Sequence, residues 1–232
     1  MSDRQAELAA NLADFRVRLE AACAAAGRDA AEITLVAVTK TFPADDVARL
    51  AAIGVTDVGE NRDQEAAAKH ETCADLPLRW HFVGALQRNK ARSVARYADV
   101  VHSIDRPRLV TALSEAARGA GRDLLALVQV SLDAAPGRSG APPDHVPALA
   151  AAIEAADGLT LGGVMAVAPL GADPDPAFAR LAEIALAMRA DHPEATMVSA
   201  GMSGDFEAAL RHGATHLRIG TALLGRRSGV VG

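Results

Sequence analysis

Apolar positions recur at helical spacing over residues 5–26, with Leu8, Leu12, Phe15, Leu19 and Ala22 on one side. An amphipathic helix is therefore expected to open the chain and to stop at Gly27. The pattern then changes. Residues 33–40 (ITLVAVTK) are a short apolar run rich in β-branched side chains, and Pro43 stands at the first turn of the helix expected next. The same alternation repeats along the chain. Strand-like runs fall at 55–59, 80–84, 99–104, 124–130, 159–167, 195–200 and 215–220. All but the last are followed by segments of helical period, at 61–71, 88–97, 107–119, 143–156, 175–190 and 203–212. The final run is followed only by a short tail.

Strands that alternate strictly with helices imply a parallel sheet, because parallel neighbours need crossover connections. Eight such units in 232 residues suit an α/β fold of the (β/α)8 TIM-type barrel class, with the helix at 5–26 as an extra element ahead of a barrel over 33–226. A doubly wound open sheet is the alternative. No linker or low-complexity segment divides the chain, so residues 1–232 are expected to form a single domain. The longest irregular stretch, 131–143 (SLDAAPGRSGAPP), follows the fifth strand and would cover the barrel mouth.

Composition narrows the function classes. Half of the residues are hydrophobic but only 3% are aromatic, so the core must be built from Ala, Val, Leu and Ile. The formal net charge of −5 argues against nucleic acid as a partner. No apolar run is long enough to span a bilayer, and the N-terminus does not read as a signal peptide. Cys23 and Cys73 match no metal or redox spacing. A cytoplasmic protein without a resident metal is expected.

Lysine usage points to chemistry. Among 24 Lys and Arg residues, lysine stands only at positions 40, 69 and 90. A desolvated lysine can shed its proton and attack a carbonyl, which a guanidinium cannot do. Lys40 ends the first strand run, on the catalytic face of a barrel, whereas Lys69 and Lys90 read as a solvated helix face and a helix first turn. A second constellation lies near the other end. Gly201-Met202-Ser203-Gly204 joins the seventh strand to a helix, with Ser203 placed as an N-cap, and Gly220-Thr221 follows the eighth strand. Loops after strands seven and eight often bind phosphate in barrels. Arg218, within the eighth strand run, needs a partner or the open mouth. Asn61 stands after the second strand, where it also suits a helix N-cap, and His81 in the third strand is a further candidate.

These segments, LVAVTK, VGENRDQE, WHFVGALQRNK, VHSIDRPRL, AGMSGDFEAAL and HLRIGTALLGRR, together resemble the pyridoxal phosphate homeostasis protein family, which is similar to the N-terminal domain of alanine racemase. The resemblance runs from the first helix to the tail. It implies a barrel that binds pyridoxal 5′-phosphate (PLP) as a Schiff base on Lys40. Ser203, Gly220 and Thr221 would hold the phosphate, with the Met202 backbone close by, and Asn61 and Arg218 would contact the ring region. An Arg beside the pyridine nitrogen would keep that nitrogen unprotonated and weaken the electron sink of PLP chemistry. The family holds, buffers and hands on PLP without a firm catalytic activity, so apo forms of PLP-dependent enzymes are the implied partners. A self-contained barrel of this size is expected to be a monomer.

Three departures from the family pattern stand out. Ala200 replaces a Met in the phosphate loop, Arg138 stands where many relatives have Lys, and Ala166-Val167-Ala168-Pro169 is less polar than usual. Two other readings compete with the carrier. A PLP-dependent racemase or decarboxylase needs a second base, and the one tyrosine, Tyr97, sits in a helix leading into the fourth strand. A cofactor-free Schiff-base aldolase would use the lysine but would not need the ring-facing Arg.

Overall fold

A computed structural model describes residues 2–133 and 139–225. Eight strands form a closed barrel in sequence order: β1 Thr34–Val38, β2 Asp57–Glu60, β3 Arg79–Phe82, β4 Val100–Ile104, β5 Leu124–Gln129, β6 Leu159–Met165, β7 Met197–Ser199 and β8 His216–Ile219. Every neighbouring pair is parallel, including the closing pair of β1 and β8. The doubly wound alternative is thereby excluded. Closure leaves no sheet edge and points the C-terminal ends of all strands to one mouth.

The helices are α1 Asp3–Ala25, α2 Ala44–Ala52, α3 Asp63–Thr72, α4 Ala91–Tyr97, α5 Pro107–Ala120, α6 Val146–Glu154, α7 Asp175–Asp191, α8 Phe206–Arg211 and the four-residue α9 Thr221–Leu224. The tail expected after the eighth strand therefore begins as a helical turn. Because α9 is so short, the outer layer needs another helix beside α8 and α2, and α1 fills that place. It packs against α2, α8 and α9. Asn11 donates to the Leu223 carbonyl (2.8 Å), and Arg4 reaches the buried Asp46 of α2 (2.8 Å). The buried stripe of α1 is Leu8, Leu12, Phe15, Leu19 and Cys23. Its last core position is thus Cys23 rather than Ala22, since a longer stripe rotates slightly around the helix.

Two apolar layers follow from the strand period. Outward residues such as Ala37, Val58, Trp80, Phe82 and Val101 join the helices in the main core. Inside the barrel a separate small cluster, Val100, Leu127, Met165 and Met197, fills one side. The other side is polar and holds Asp57, His81, His102, Ser199, His216 and Arg218, all buried. Among the described residues, no helix is long and apolar enough to cross a membrane. In the irregular stretch after β5, Val130 bridges to Ala141 and Gln129 donates to the Ser139 carbonyl (3.1 Å). Arg138 lies outside the described residues.

Candidate functional site

Lys40 stands at the mouth, two residues beyond β1, and its amine has no hydrogen bond or ion pair with a described residue. The backbone on either side of it is held by a buried ionic cluster. Lys69 donates to the Thr39 carbonyl (2.8 Å), to Glu60 (2.6 Å) and to Glu65 (2.7 Å). The Thr39 hydroxyl donates to the same Glu60 oxygen (2.6 Å), and the Thr41 amide donates to Glu65. Thr41 adopts φ 69°, a left-handed conformation that a β-branched residue takes only when its surroundings enforce it. Lys69 is thus not on a solvated helix face: it is 6% exposed and locks the turn that presents Lys40. The Glu65–Lys69 spacing was readable as a helical ion pair, but its contact with Glu60 and the Thr39 carbonyl was not. Burial raises the Glu60 carboxyl above its usual range, and its hydrogen bonds from Lys69 and Thr39 offset this only in part.

Asn61 follows β2 as Lys40 follows β1, each two residues beyond the paired Val38 and Gly59. It does not cap α3, whose N-cap position is Arg62. Its side-chain oxygen is instead buried, with no hydrogen-bond partner among the described residues. The backbone of the next loop presses against it. A Cβ on Gly84 would come within 2.1 Å of the Asn61 carbonyl oxygen, so only glycine allows that approach.

The loops after β7 and β8 do converge. Ser203 does not cap α8, which starts three residues later after Asp205. Its hydroxyl accepts from the Ala222 amide (3.2 Å) and ties the two loops together. Gly201, with φ 89°, makes the turn, and a Cβ there would lie 2.8 Å from that of Ala209. The Ser203, Gly204 and Thr221 amides donate to no described residue, which leaves a cradle of N–H groups. The Met202 amide is already engaged by Asp205 (2.6 Å) and does not belong to that free set. Gly220 follows β8 next to Val38 of β1.

Arg218 and His81 lie below the mouth, inside the barrel. The Arg218 guanidinium donates to the Ser199 hydroxyl (2.6 Å) and the Ala166 carbonyl (2.8 Å), and pairs with no described carboxylate. Burial pulls it down to about 10, so it remains charged at neutral pH. His81 bridges Asp57 (2.9 Å) and His102 (2.8 Å). Its role is an interior one, reached through a contact with His102 that sequence spacing does not reveal.

This polar interior has a pH consequence. Burial holds His216 down to about 4 and shifts His81 and His102 down as well. The unfolded chain binds protons near 6.5 that the folded barrel refuses, so stability is full above that value and falls as pH drops below it. His216 alone accounts for about 3 kcal/mol over that interval. Thermal melts should be flat from pH 8 to 7 and fall steeply between roughly pH 6 and 4; a flat profile there would contradict the neutral interior.

The sequence profile of the alanine racemase N-terminal domain matches residues 10–228. The pyridoxal phosphate homeostasis protein of Mycobacterium tuberculosis is 46% identical, over 97% of this chain and 95% of that protein. The chain belongs to the pyridoxal phosphate homeostasis family. A solved member, PipY of Synechococcus elongatus with PLP bound, is 33% identical with a TM-score of 0.80, covering 94% of this chain and all of that one. Alanine racemase of Corynebacterium glutamicum shares the fold at 17% identity and a TM-score of 0.70, and the match covers 98% of this chain but 62% of the racemase.

Proposed function

We propose that this chain is a cytoplasmic, monomeric PLP carrier, a single barrel domain that holds the cofactor as a reversible Schiff base on Lys40 and passes it to apo-enzymes. The observation that carries the reading is the Lys40 amine, unpaired among the described residues and presented on a locked turn at the mouth, with the Asn61 oxygen, also unpaired among them, after the neighbouring strand. The open amides of Ser203, Gly204 and Thr221 suit a phosphate, and the charged Arg218 suits a ring nitrogen that accepts without being protonated. PLP would supply an aldehyde that condenses reversibly with an amine. The protein side would supply a lysine on a fixed turn, phosphate donors and the Arg218 guanidinium below the mouth. The PLP-bound relative supports the same reading.

A racemase reading lacks its second base. Tyr97 ends α4 in the outer core, outside the barrel, and burial raises its hydroxyl far above the range useful for proton transfer. The function is tested by incubating the protein with PLP, reducing with borohydride and mapping the modified peptide. Modification at Lys40 is expected, and modification elsewhere or none would refute it. Added amino acids should yield no enantiomer and no keto acid over hours, while turnover of either would restore the enzyme reading.

A further inference from the structure

The polar half of the barrel interior is a connected chain. Arg218 donates to Ser199 (2.6 Å), Ser199 contacts His102 Nδ1 (2.9 Å), His102 Nε2 contacts His81 Nδ1 (2.8 Å), and His81 Nε2 contacts Asp57 (2.9 Å). It crosses from β8 through β7, β4 and β3 to β2. Proton bookkeeping allows one direction. A guanidinium can only donate, so the Ser199 oxygen accepts from it and leaves its own proton free for His102 Nδ1, a choice that the Asp57 end of the chain settles. His102 then carries its proton on Nε2 and gives it to His81 Nδ1. His81 is left with Nε2–H, which faces the Asp57 carboxylate. The reverse arrangement would turn a bare ring nitrogen toward a carboxylate. Both rings are held neutral by burial, and Asp57, whose second oxygen accepts from Thr56 (2.7 Å), is held ionised by its hydrogen bonds against its own burial.

We propose that Asp57, His81, His102 and Ser199 are positioning residues that act as a relayed counter-charge, fixing Arg218 in place and in orientation beneath the mouth. Packing alone does not require them, because the opposite side of the same interior is filled by Val100, Leu127, Met165 and Met197. Arg218 is 5% exposed and spends only two of its five N–H groups within the chain and on Ala166, so the others remain available to an acceptor above it. The charged and titratable groups facing the chain are His216, whose ring lies 6.4 Å from that of His81, Arg79, which neighbours Asp57 through the β2–β3 pairing, Asp99, which acts on His81 through space, and Asp205, which acts on Arg218 through space. The far end at Asp57 borders a cleft of about 440 Å³ at the base of the barrel, shared with Arg16, Glu20 and Thr34. The Arg218 charge inside the barrel is therefore answered through hydrogen bonds by a carboxylate three side chains away, while Asp205 acts on it only through space.

The consequence for PLP rests on the carrier reading, but the chain itself is testable without cofactor. Nitrogen-15 NMR of the ligand-free protein at pH 7 should show His81 and His102 both neutral and both protonated at Nε2. A charged ring or the opposite tautomer overturns the proposal. The second arm uses PLP-loaded protein with Asp57→Asn, which keeps an acceptor but removes the charge, and Ser199→Ala, which cuts the link to Arg218. Both should weaken PLP retention by roughly ten- to a hundredfold and shift the absorbance maximum and its pH titration. Ser199→Thr should restore the signature by restoring the hydroxyl. If both variants lose only thermal stability and keep wild-type spectrum and affinity, the chain is structural and the proposal fails. If the wild type itself takes up no PLP, the carrier reading fails and the NMR result alone decides the chain.

Discussion

Lys40→Ala will abolish the violet-edge absorbance of PLP-treated protein and its fixation by borohydride. The sequence holds only three lysines, and the other two are poorly placed to substitute. Lys69 has its amine committed to three acceptors in a buried cluster, so freeing it would strand Glu60. Lys90 stands at the N-cap position of α4, after β3, with its amine 3.7 Å from Asp63. The amide cradle after β7 and β8 survives the substitution, so PLP should still dock non-covalently. Its affinity should drop on the order of a hundredfold, equivalent to about 3 kcal/mol for the lost covalent tether. Equilibrium dialysis and the absorbance titration measure the two effects separately. Lys90→Ala is the control and should leave the band intact. A Lys40→Ala protein that keeps the wild-type band would move the anchor elsewhere.

The second large effect is on the fold. Lys69→Met removes the one ammonium among the described residues that answers Glu60, a fully buried carboxylate whose second oxygen lacks a partner among them. Breaking a buried pair in this way typically costs about 3–5 kcal/mol, because the remaining charge is left uncompensated. Denaturant unfolding should therefore show a strongly lowered midpoint. In the variant the folded Glu60 will hold its proton above the unfolded value near 4.3, so the loss should be smallest below that pH and grow as pH rises. Adding Glu60→Gln should recover much of the stability by removing the stranded charge. The same variant releases the Thr39 carbonyl and, through a freed Glu65, the Thr41 amide. Lys69→Met should therefore also bind PLP more slowly and more weakly even where it is folded. A Lys69→Met protein as stable as wild type would show that the cluster is solvated in solution.

Much of the architecture was legible because it rests on local periods. Runs of β-branched and apolar residues alternate with 3.6-residue patterns, and that alternation leaves few topologies besides a parallel sheet with crossovers. The positions of Lys40, Asn61 and the two loops near the C-terminus followed from the same reading, since strand ends are read directly from where an apolar run stops. The loop details were less legible. Ser203 looked like a helix cap because a Ser before a helical pattern usually is one, yet the helix begins later and the hydroxyl serves the neighbouring loop instead. Asn61 misled in the same way and proved to have a free oxygen.

What the sequence alone determined about this protein is its order of elements, the strand that carries each candidate residue and, through motif resemblance, its family. These depend on neighbours along the chain and on composition. Barrel closure, the place of α1 beside α8 and α2, the Lys69 cluster behind Lys40 and the Asp57–His81–His102–Ser199–Arg218 chain were decided only in three dimensions. Each joins residues 9 to 97 or more positions apart, for instance His102 with Ser199. Charged and neutral polar groups so far apart acquire their partners, and hence their protonation, only when burial removes the water that would otherwise satisfy them.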